Sequence, residues 1–359
     1  MTKTVLVTGG AGYIGSTIAH ILVTSGFKVA IIDSLDKGSI KNTPTDAHFY
    51  DARISNKDIY TRIKREIGKI DVTIHCASYI SVPESELDPI KYITNNVSEF
   101  VELLENLAII DCERLIFSSS ASIYGSQQGA ISETSPIAPR STYAETKWLC
   151  EQISSLAAEH RALRTINLRY FNPIGTHPDG LCGPGDMHSG SLLNELTKAV
   201  LTSAPFRLTG TDYNTRDGSG IRDYVDVTDL ALAHAKACIL FDKIVNGSTN
   251  AGADHRSRAI NLGSGQGVTV RELIATLENV LGKKLRIEEA PRRPGDVAGS
   301  YADTSLARNL LQWQASTPLE TSILRHIDWW QRHWHTQPAP ASFSLASSRQ
   351  DFASLSHLP

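Results

Sequence analysis

Short apolar runs alternate with longer amphipathic segments along the first half of the chain. The runs are apolar almost throughout rather than at every second position, which is typical of parallel strands covered on both faces. They predict strands at Thr4–Gly9, Lys28–Asp33, Ala47–Asp51, Asp71–Ala77, Arg114–Ser120 and Thr165–Asn172. The segments near 13–25, 55–67, 89–108 and 141–160 have helical patterns. This alternation predicts an α/β protein with a doubly wound parallel sheet.

The pattern changes after Asn172. Loops rich in glycine and proline, "PIGTHPDGLCGPGD", lead into scattered helices and short strands. We expect residues 1–173 to form the sheet domain and residues 174–335 a smaller C-terminal α/β domain that binds substrate over the carboxyl ends of the strands. Segments near 222–242 and 259–264 are expected to return to the first domain. Residues 336–359, rich in serine, alanine and proline, predict a disordered tail.

Composition and charge narrow the functional classes. The 359 residues have a formal net charge of −3 and no basic cluster, so no nucleic-acid partner is expected. There is no run of about 18 apolar residues and no basic-then-apolar leader, which predicts a cytoplasmic protein that does not enter a membrane. The five cysteines are scattered without a C-x-x-C pair, so neither a disulfide framework nor a metal site is expected.

A glycine-rich turn between the first predicted strand and helix has the spacing of a nucleotide cradle. In "VTGGAGYIGS", Gly9, Gly12 and Gly15 stand three apart, as a tight turn that approaches a pyrophosphate requires. The next strand ends at Asp33, whose carboxylate can accept bonds from both ribose hydroxyls and would repel a 2′-phosphate. This predicts a Rossmann-type domain that binds NAD rather than NADP. Asp51, which ends the third strand, is either a contact to the adenine amino group or a plain strand-end residue.

A serine, a tyrosine and a lysine form a second candidate site. Ser120 ends the fifth predicted strand in "SSSASIYG", and Tyr143 and Lys147 lie one helical turn apart in "STYAETK". Lowering the pKa of a phenol from about 10 to about 7 takes roughly 4 kcal/mol, and an ammonium at ~6 Å supplies about 3 kcal/mol at an effective dielectric near 20. We therefore expect Lys147, aided by the charge of oxidised nicotinamide, to make Tyr143 a base near neutral pH. Ser120 would relay or orient the substrate hydroxyl.

With these motifs the chain resembles the extended short-chain dehydrogenase/reductase superfamily, and within it the UDP-glucose 4-epimerase (UDP-galactose 4-epimerase) family. The resemblance runs from Val5 to about Trp334. It rests on "VTGGAGYIGS", "SSSASIYG", "YAETK", "LRYFNPIG", "GIRDYVDVTDLA", "NLGSGQGVTVREL" and "APRRPGD". It implies a Rossmann-type domain with a smaller substrate domain, NAD as cofactor, a UDP-sugar as substrate, and a homodimer formed through the helices near 89–108 and 141–160.

The resemblance also implies roles for individual residues. Tyr143 would remove the O4 proton of the hexose, directly or through Ser120, while the C4 hydride passes to NAD⁺; the 4-keto sugar would then turn and take the hydride back on its other face. The implied NAD-binding positions are Gly9, Gly12, Tyr13, Ile14, Gly15, Asp33, Asp51, Ala52, Asn95, Ser118, Lys147 and Tyr170. The implied substrate-binding positions are Ser120, Tyr143, Asn172, Arg222, Arg293, Asp296 and Ser300.

Three positions depart from the pattern of the best-known members. Ile80, in "CASYISV", stands where many have a lysine that contacts the cofactor, so NAD binding is expected to be weaker or carried by Tyr79 and its neighbours. Ser191 stands where an asparagine or histidine commonly binds UDP. Ser300 stands where strict UDP-glucose enzymes have a bulky tyrosine, which predicts activity on UDP-GlcNAc and UDP-GalNAc as well. A register shifted by one residue, onto Tyr301, would reverse that prediction.

Three other functions compete with this one. A 4,6-dehydratase needs an acid/base pair beside the strand-end serine, whereas Ala121 and Ser122 follow Ser120 here. A UDP-glucuronate or UDP-pentose 4-epimerase is the closer alternative, because the sequence barely separates it from a hexose epimerase. A non-catalytic NAD-binding regulator would explain the glycine turn but not the presence of Tyr143 and Lys147 beside the serine.

Overall fold

The computed structural model describes residues 2–125, 127–187, 191–246, 256–292 and 298–334. Its strands are β1 (Thr4–Thr8), β2 (Lys28–Asp33), β3 (His48–Asp51), β4 (Val72–His75), β5 (Arg114–Ser120), β6 (Gly129–Ile131), β7 (Arg164–Tyr170), β8 (Asn172–Ile174), β9 (Phe206–Thr209), β10 (Ile221–Arg222), β11 (Tyr224–Asp226), β12 (Ser257–Leu262), β13 (Val268–Thr269), β14 (Ile287–Ala290) and β15 (Ser300–Ala302). The predicted tail, 336–359, lies outside the described residues.

The α-helices follow the same chain order. They are α1 (Tyr13–Thr24), α2 (Lys57–Glu66), α3 (Val82–Leu87), α4 (Pro89–Ile93), α5 (Glu99–Asn106), α6 (Thr142–His160), α7 (Leu192–Thr202), α8 (Val227–Asn246), α9 (Val270–Leu281), α10 (Ser305–Leu311) and α11 (Leu319–His333). A π-helical turn at Thr94–Ser98 joins α4 to α5, and short 3₁₀ turns lie at Ile40–Asn42 and Ala121–Tyr124.

Seven parallel strands form the large sheet, in the order β12-β7-β5-β4-β1-β2-β3. All six strands predicted from the apolar runs lie in it, which confirms the α/β class and the doubly wound sheet. The strand order reverses between β1 and β4. Open α/β sheets bind ligands at such a reversal, in the crevice outside the carboxyl ends of the strands.

Both faces of the sheet are covered, because successive side chains on a strand point to opposite faces. Val5 and Val7 belong to an apolar cluster with Leu230 of α8. Leu6, between them, belongs to the opposite cluster with Phe100 of α5. Burial on both sides explains why the strand sequences are apolar throughout.

The sixth predicted strand ends earlier than expected. β7 stops at Tyr170, and Asn172 begins β8, which pairs with β11 outside the large sheet. Pro173 has no N–H to donate to a ladder. The Asn172 N–H donates to the Asp223 carbonyl oxygen (2.9 Å), so the chain leaves the large sheet here.

The second half of the chain builds a smaller α/β layer and also returns to the large sheet. A separate core contains Leu196, Phe206, Leu273 and Ile327. β12 adds the seventh strand of the large sheet, and α8 packs against α1. The domain limits placed at 173 and 335 remain a prediction.

Candidate active site

The glycine turn predicted to hold a nucleotide lies between β1 and α1. Gly9 has φ +71°, and a Cβ there would lie 2.5 Å from the Ala77 nitrogen; a Cβ on Gly15 would lie 2.2 Å from the Gly9 carbonyl oxygen. A Cβ on Gly12 would meet nothing closer than 3.4 Å. Gly12 is also the N-cap of α1 and has no side chain to bond the N–H groups of the first turn, which begins at Tyr13. Those groups can meet a pyrophosphate, so the turn fits NAD.

Asp33 connects the end of β2 with the glycine turn. Its buried carboxylate accepts hydrogen bonds from the Ala11 N–H (2.9 Å) and the Leu35 N–H (2.8 Å). Burial raises the pKa of Asp33, and these two bonds oppose the rise. Each oxygen keeps a further lone pair, so the carboxylate can also accept from ribose hydroxyls. Asp51 is exposed beside it at the end of β3, and the Ala52 N–H donates to the Asp33 carbonyl oxygen (3.1 Å).

Ser120, Tyr143 and Lys147 lie together at the carboxyl edge of the sheet. Ser120 ends β5, and the other two lie in the first two turns of α6. The Lys147 Nζ atom is 5.8 Å from the centroid of the Tyr143 ring and donates a hydrogen bond to the Ser118 carbonyl oxygen (2.9 Å). Helix α6 begins here because the Ser141 hydroxyl accepts an N–H of its first turn at 3.2 Å. The structure thus brings together the three residues predicted to carry the chemistry.

Desolvation dominates the pKa values of both titrating side chains. It raises the pKa of Tyr143, while a hydrogen bond with the Ser120 hydroxyl acts in the opposite direction. It lowers the pKa of Lys147 to about 8. The expectation that the lysine charge nearly suffices to make the phenol a base is therefore wrong for the protein's own groups. Burial raises the pKa of the phenol more than the Ser120 hydrogen bond lowers it, and we infer that the charge of the oxidised cofactor supplies the rest.

A chain of buried hydrogen bonds runs behind these residues from β5 to α8. The Tyr170 hydroxyl is 2.8 Å from the Ser118 hydroxyl and also bonds His234 Nε2. His234 Nδ1 lies 2.8 Å from the Leu230 carbonyl oxygen, which can only accept, so Nδ1 carries the proton and Nε2 accepts. The Tyr170 hydroxyl therefore donates to His234 Nε2, and it lies beside the Ser118 hydroxyl. Burial lowers the pKa of His234 to about 4, so the ring stays neutral and Nε2 remains an acceptor near neutral pH.

The polar face of α6 continues beyond the lysine. Glu151, one turn after Lys147, forms a buried ion pair with Arg169 of β7 (2.7 Å) and accepts a hydrogen bond from the Ser119 hydroxyl. The same guanidinium donates to the Tyr124 hydroxyl (2.7 Å). These bonds fix the helix that carries the tyrosine and lysine against strands β5 and β7.

Two of the implied substrate positions adjoin each other. Arg222 is half-buried in β10, and a Cβ on Gly299 would lie 2.4 Å from its Nη1 atom, so the guanidinium lies against the residue before Ser300. A Cβ on Gly267 would lie 2.7 Å from Cδ1 of Tyr301, which places that ring against Gly267. Because neighbours on a strand point to opposite faces, Ser300 faces the other way.

Other implied positions are not joined to this group. Asn172 is exposed at the start of β8. Asn95 lies on the π-helical turn, where its side chain accepts from Arg53 (3.2 Å) and donates to Asn96 (3.0 Å). Arg293 and Asp296 lie outside the described residues.

Comparison with known proteins shows the family of this chain. The model of the NAD dependent epimerase/dehydratase family matches residues 5–252. The chain belongs to that family. One relative, the UDP-glucose 4-epimerase of Bacillus subtilis (strain 168), is 36% identical over 327 residues, which are 88% of this chain and 93% of the relative.

Solved structures of epimerases have the same fold. The UDP-glucose-4-epimerase of Stenotrophomonas maltophila, with bound NAD and formylated UDP-arabinopyranose, matches with a TM-score of 0.86 and 34% identity, covering 93% of this chain and 100% of that one. The UDP-Glc/GlcNAc 4-epimerase of Campylobacter jejuni matches with a TM-score of 0.77 and 30% identity, covering 92% and 99%. These findings confirm the resemblance to UDP-glucose 4-epimerases, the Rossmann-type fold and NAD as the cofactor.

Two departures from the epimerase pattern have a clear place in the fold. Ile80 follows β4, and its side chain is 64% exposed. Ser191 caps α7, where its hydroxyl accepts the Asn194 N–H (3.3 Å).

Among the residues that the structure describes, no group of three or more histidine, cysteine and carboxylate side chains could hold a metal ion. In the same ranges no helix has the length and apolarity needed to cross a membrane.

Sequence reasoning missed three residues that support the epimerase site. Glu151 had a usable signal, because it repeats the one-turn spacing of Tyr143 and Lys147. Asn96 had a weaker one, since a buried amide inside a helical segment needs partners. His234 had none, because its partner Tyr170 is 64 residues away and the strand and helix that carry them meet only in the folded chain.

Proposed function

We propose that this chain is an NAD-dependent 4-epimerase that interconverts UDP-glucose and UDP-galactose. The observation that carries the proposal is that Ser120, Tyr143 and Lys147 lie together at the carboxyl edge of the sheet, on the side where the glycine turn fits NAD. Relatives named UDP-glucose 4-epimerases that match most of the chain support it.

In the proposed mechanism, the chain's own residues handle the proton on O4 of the sugar. Bound NAD supplies reversible hydride exchange at C4. Tyr143 accepts the O4 proton and returns it, and Ser120, which hydrogen-bonds the phenol, orients or relays that proton. Lys147 is anchored on the Ser118 carbonyl oxygen and favours the phenolate by its charge.

The remaining positions are proposed to bind the two nucleotides. The glycine turn, Asp33, Asp51 and the positions implied beside them would hold NAD on the domain formed mainly by residues 1–173. The UDP group would lie on the part formed mainly by 174–335. Its proposed contacts are Asn172, Arg222, Arg293 and Asp296, whose two arginines suit phosphate oxygens.

The proposed substrate range includes the N-acetylated pair. Ser300 faces away from the packed Tyr301 ring and adjoins the residue that contacts Arg222. This arrangement favours the alignment in which Ser300, and not Tyr301, takes the position of the bulky tyrosine. It leaves a small side chain near the sugar. The similarity to a UDP-Glc/GlcNAc 4-epimerase supports the same reading. UDP-pentoses are the second candidate, because one similar structure binds a formylated UDP-arabinopyranose.

One experiment tests the reaction and the substrate together. The purified protein is incubated with UDP-glucose, UDP-GlcNAc, UDP-glucuronate or UDP-xylose without added NAD, and the products are identified by NMR. Conversion of UDP-glucose to UDP-galactose without a net rise in absorbance at 340 nm is expected, because the hydride returns to the sugar. A net rise in this absorbance would show a dehydrogenase. Conversion of UDP-glucuronate or UDP-xylose alone would show that a uronate or a pentose, and not a hexose, is the substrate.

We also propose that the chain forms a homodimer. Helices α4 and α6 expose large apolar side chains, among them Ile90 (69% exposed) and Leu156 (56%). Such residues on adjacent helices suit a helical interface. Sedimentation of the Ile90→Glu/Leu156→Glu variant should give monomers, whereas Ile239→Glu, at an equally exposed site on α8, should leave the dimer intact.

The proposed location is the cytoplasm. All five cysteines are free, as expected for a protein kept in a reducing compartment. The protein is unfolded in fresh cell extract and labelled with a thiol reagent. We expect all five cysteines to be reduced.

A further inference from the structure

A tyrosine and an aspartate form a bridge across the mouth of the cofactor cleft. Asp36 lies on the loop after β2 and Tyr79 on the loop after β4, and the Tyr79 hydroxyl donates a hydrogen bond to Asp36 Oδ2 at 3.4 Å. In the sheet β1 separates β2 from β4, so the two loops begin roughly 10 Å apart, twice the ~4.8 Å strand spacing. The bridge therefore crosses the carboxyl end of β1, where the glycine turn begins.

Both ends of the bridge are anchored. Arg53, which follows β3, donates to Asp36 Oδ2 at 3.1 Å and is also paired with Glu99. The backbone of Tyr79 is held on both sides by the buried Asn96 amide, which accepts the Tyr79 N–H (2.9 Å) and donates to the Tyr79 carbonyl oxygen (3.0 Å). The orientation of the tyrosine is thus fixed before any ligand binds.

The Tyr79 ring is held as well. The Lys91 ammonium lies 4.9 Å from its centroid, the Tyr92 ring lies 5.8 Å away, and Lys91 is itself paired with Glu84 (2.7 Å). Burial and the nearby Asp36 carboxylate raise the pKa of Tyr79, so the phenol keeps its proton and acts as a donor. A cation over an aromatic face stabilises this placement.

We propose that the bridge between Asp36 and Tyr79 retains the dinucleotide in this chain, in place of the lysine that many family members have at the position of Ile80. Isoleucine offers the cofactor no charge and no hydrogen bond, and Ile80 is 64% exposed. The bridge closes the cleft in front of the glycine turn, so bound NAD leaves only when the bridge opens. The proposal rests on NAD as the cofactor and not on the identity of the sugar.

The test measures how fast NAD leaves the holoenzyme. Purified holoenzyme is diluted into ethanol and an excess of alcohol dehydrogenase, which converts released NAD to NADH and reports it at 340 nm. Tyr79→Phe is expected to release NAD about threefold to tenfold faster than the parent, the range for one lost hydrogen bond to a charged acceptor at a partly exposed site. Tyr50→Phe is the matched control, because it removes a phenol–carboxylate bond, to Glu66 (3.1 Å), away from the cleft. It should release NAD at the parent rate.

Two further variants test whether the residues act as one unit. Asp36→Ala should speed release as Tyr79→Phe does, and the double variant should be no faster than the faster single one, because both remove the same bond. Ile80→Lys added to Tyr79→Phe should restore slow release. Release at the parent rate from Tyr79→Phe, additive effects in the double variant, or equal acceleration by Tyr50→Phe would each overturn the proposal. A holoenzyme that retains NAD but does not epimerise UDP-hexoses would contradict the proposed function and leave this result unaffected.

Discussion

At the scale of single residues, the chemistry of Tyr143 depends on a balance that its neighbours set. Desolvation raises the pKa of the phenol, the Ser120 hydroxyl lowers it, and Lys147 places a charge 5.8 Å from the ring. The protein's own groups leave the balance on the side of the neutral phenol. We therefore expect Tyr143 to act as a base only when the oxidised cofactor is bound.

Replacing the phenol tests its role directly. Tyr143→Phe should lower kcat by about 10²–10⁴-fold, the usual contribution of a general base. The NAD content per chain, measured after denaturation, should stay near that of the parent. Tyr60→Phe is the control, since this buried phenol donates to the Ile54 carbonyl oxygen (2.8 Å) far from the chemistry. Unchanged turnover in the Tyr143 variant would remove the proposed mechanism.

A second residue-scale prediction concerns substrate range. Ser300→Tyr should suppress turnover of UDP-GlcNAc and UDP-GalNAc by at least about tenfold relative to UDP-glucose and UDP-galactose, because the ring would fill the space proposed for the acetyl group. The ratio of kcat/KM values for the two pairs is measured. Tyr301→Phe, on the opposite face of β15, should leave the ratio unchanged. Equal losses on both pairs would refute the assignment.

At the scale of elements, helix α6 is held against the sheet by a buried ion pair. Arg169 of β7 and Glu151 of α6 are almost fully buried, 2.7 Å apart, and bonded to Tyr124 and Ser119. Removing one partner leaves the other charge buried without compensation. The pair therefore fixes the helix that presents the catalytic side chains.

The buried pair should affect the free energy of unfolding more than an exposed pair does. Arg169→Met should lower the free energy of unfolding by about 3–5 kcal/mol, measured by urea denaturation, whereas Arg169→Met combined with Glu151→Leu should lower it less. Arg62→Met, which breaks the exposed pair with Glu66, should leave the unfolding free energy close to that of the parent. A double variant less stable than the single one would argue against an uncompensated charge as the cause.

At the scale of the whole molecule, buried neutral histidines make stability depend on pH. Burial lowers the pKa of His75 to about 3, of His234 to about 4 and of His326 to about 3, against 6.5 for an ordinary imidazole. As the pH falls below 6.5, the unfolded chain binds protons that the folded chain excludes. Stability is therefore complete above pH 6.5 and is lost progressively as the pH falls towards 4 and then 3. Buried carboxyls with a raised pKa, such as Asp223, act in the opposite direction at the lower end of this range.

The slope of the unfolding free energy against pH measures this effect. Each histidine contributes up to about 1.4 kcal/mol per pH unit, so the three together contribute up to roughly 4 kcal/mol per unit. Urea denaturation between pH 6.5 and 5 should show this fall, and His326→Gln should reduce the slope by about one histidine's share. His48→Gln, at an exposed position, is the control. Stability that rises as the pH falls would contradict the assignment.

The sequence supported more of the fold than of the site. Apolar runs identified the first six strands of the sheet, because strands covered on both faces carry few polar residues. The predicted end of β7 is too late, because the Asn172 N–H leaves the sheet to donate to the carbonyl oxygen of Asp223, fifty-one positions further along the chain. The π-helical turn that carries Asn96 gave no sign in the apolar pattern.

By itself the sequence determined the strands, the glycine turn and the one-turn spacing of Tyr143 and Lys147, because local spacing fixes which groups a strand, turn or helix presents side by side. Tertiary structure alone decided the direction of the hydrogen bond from Tyr170 to His234, the upward shift in the pKa of Tyr143, and the Asp36–Tyr79 bridge. These properties depend on desolvation and on contacts between loops far apart in the chain. Both the desolvation and the loop contacts are set by the packing of helices and strands around the sheet.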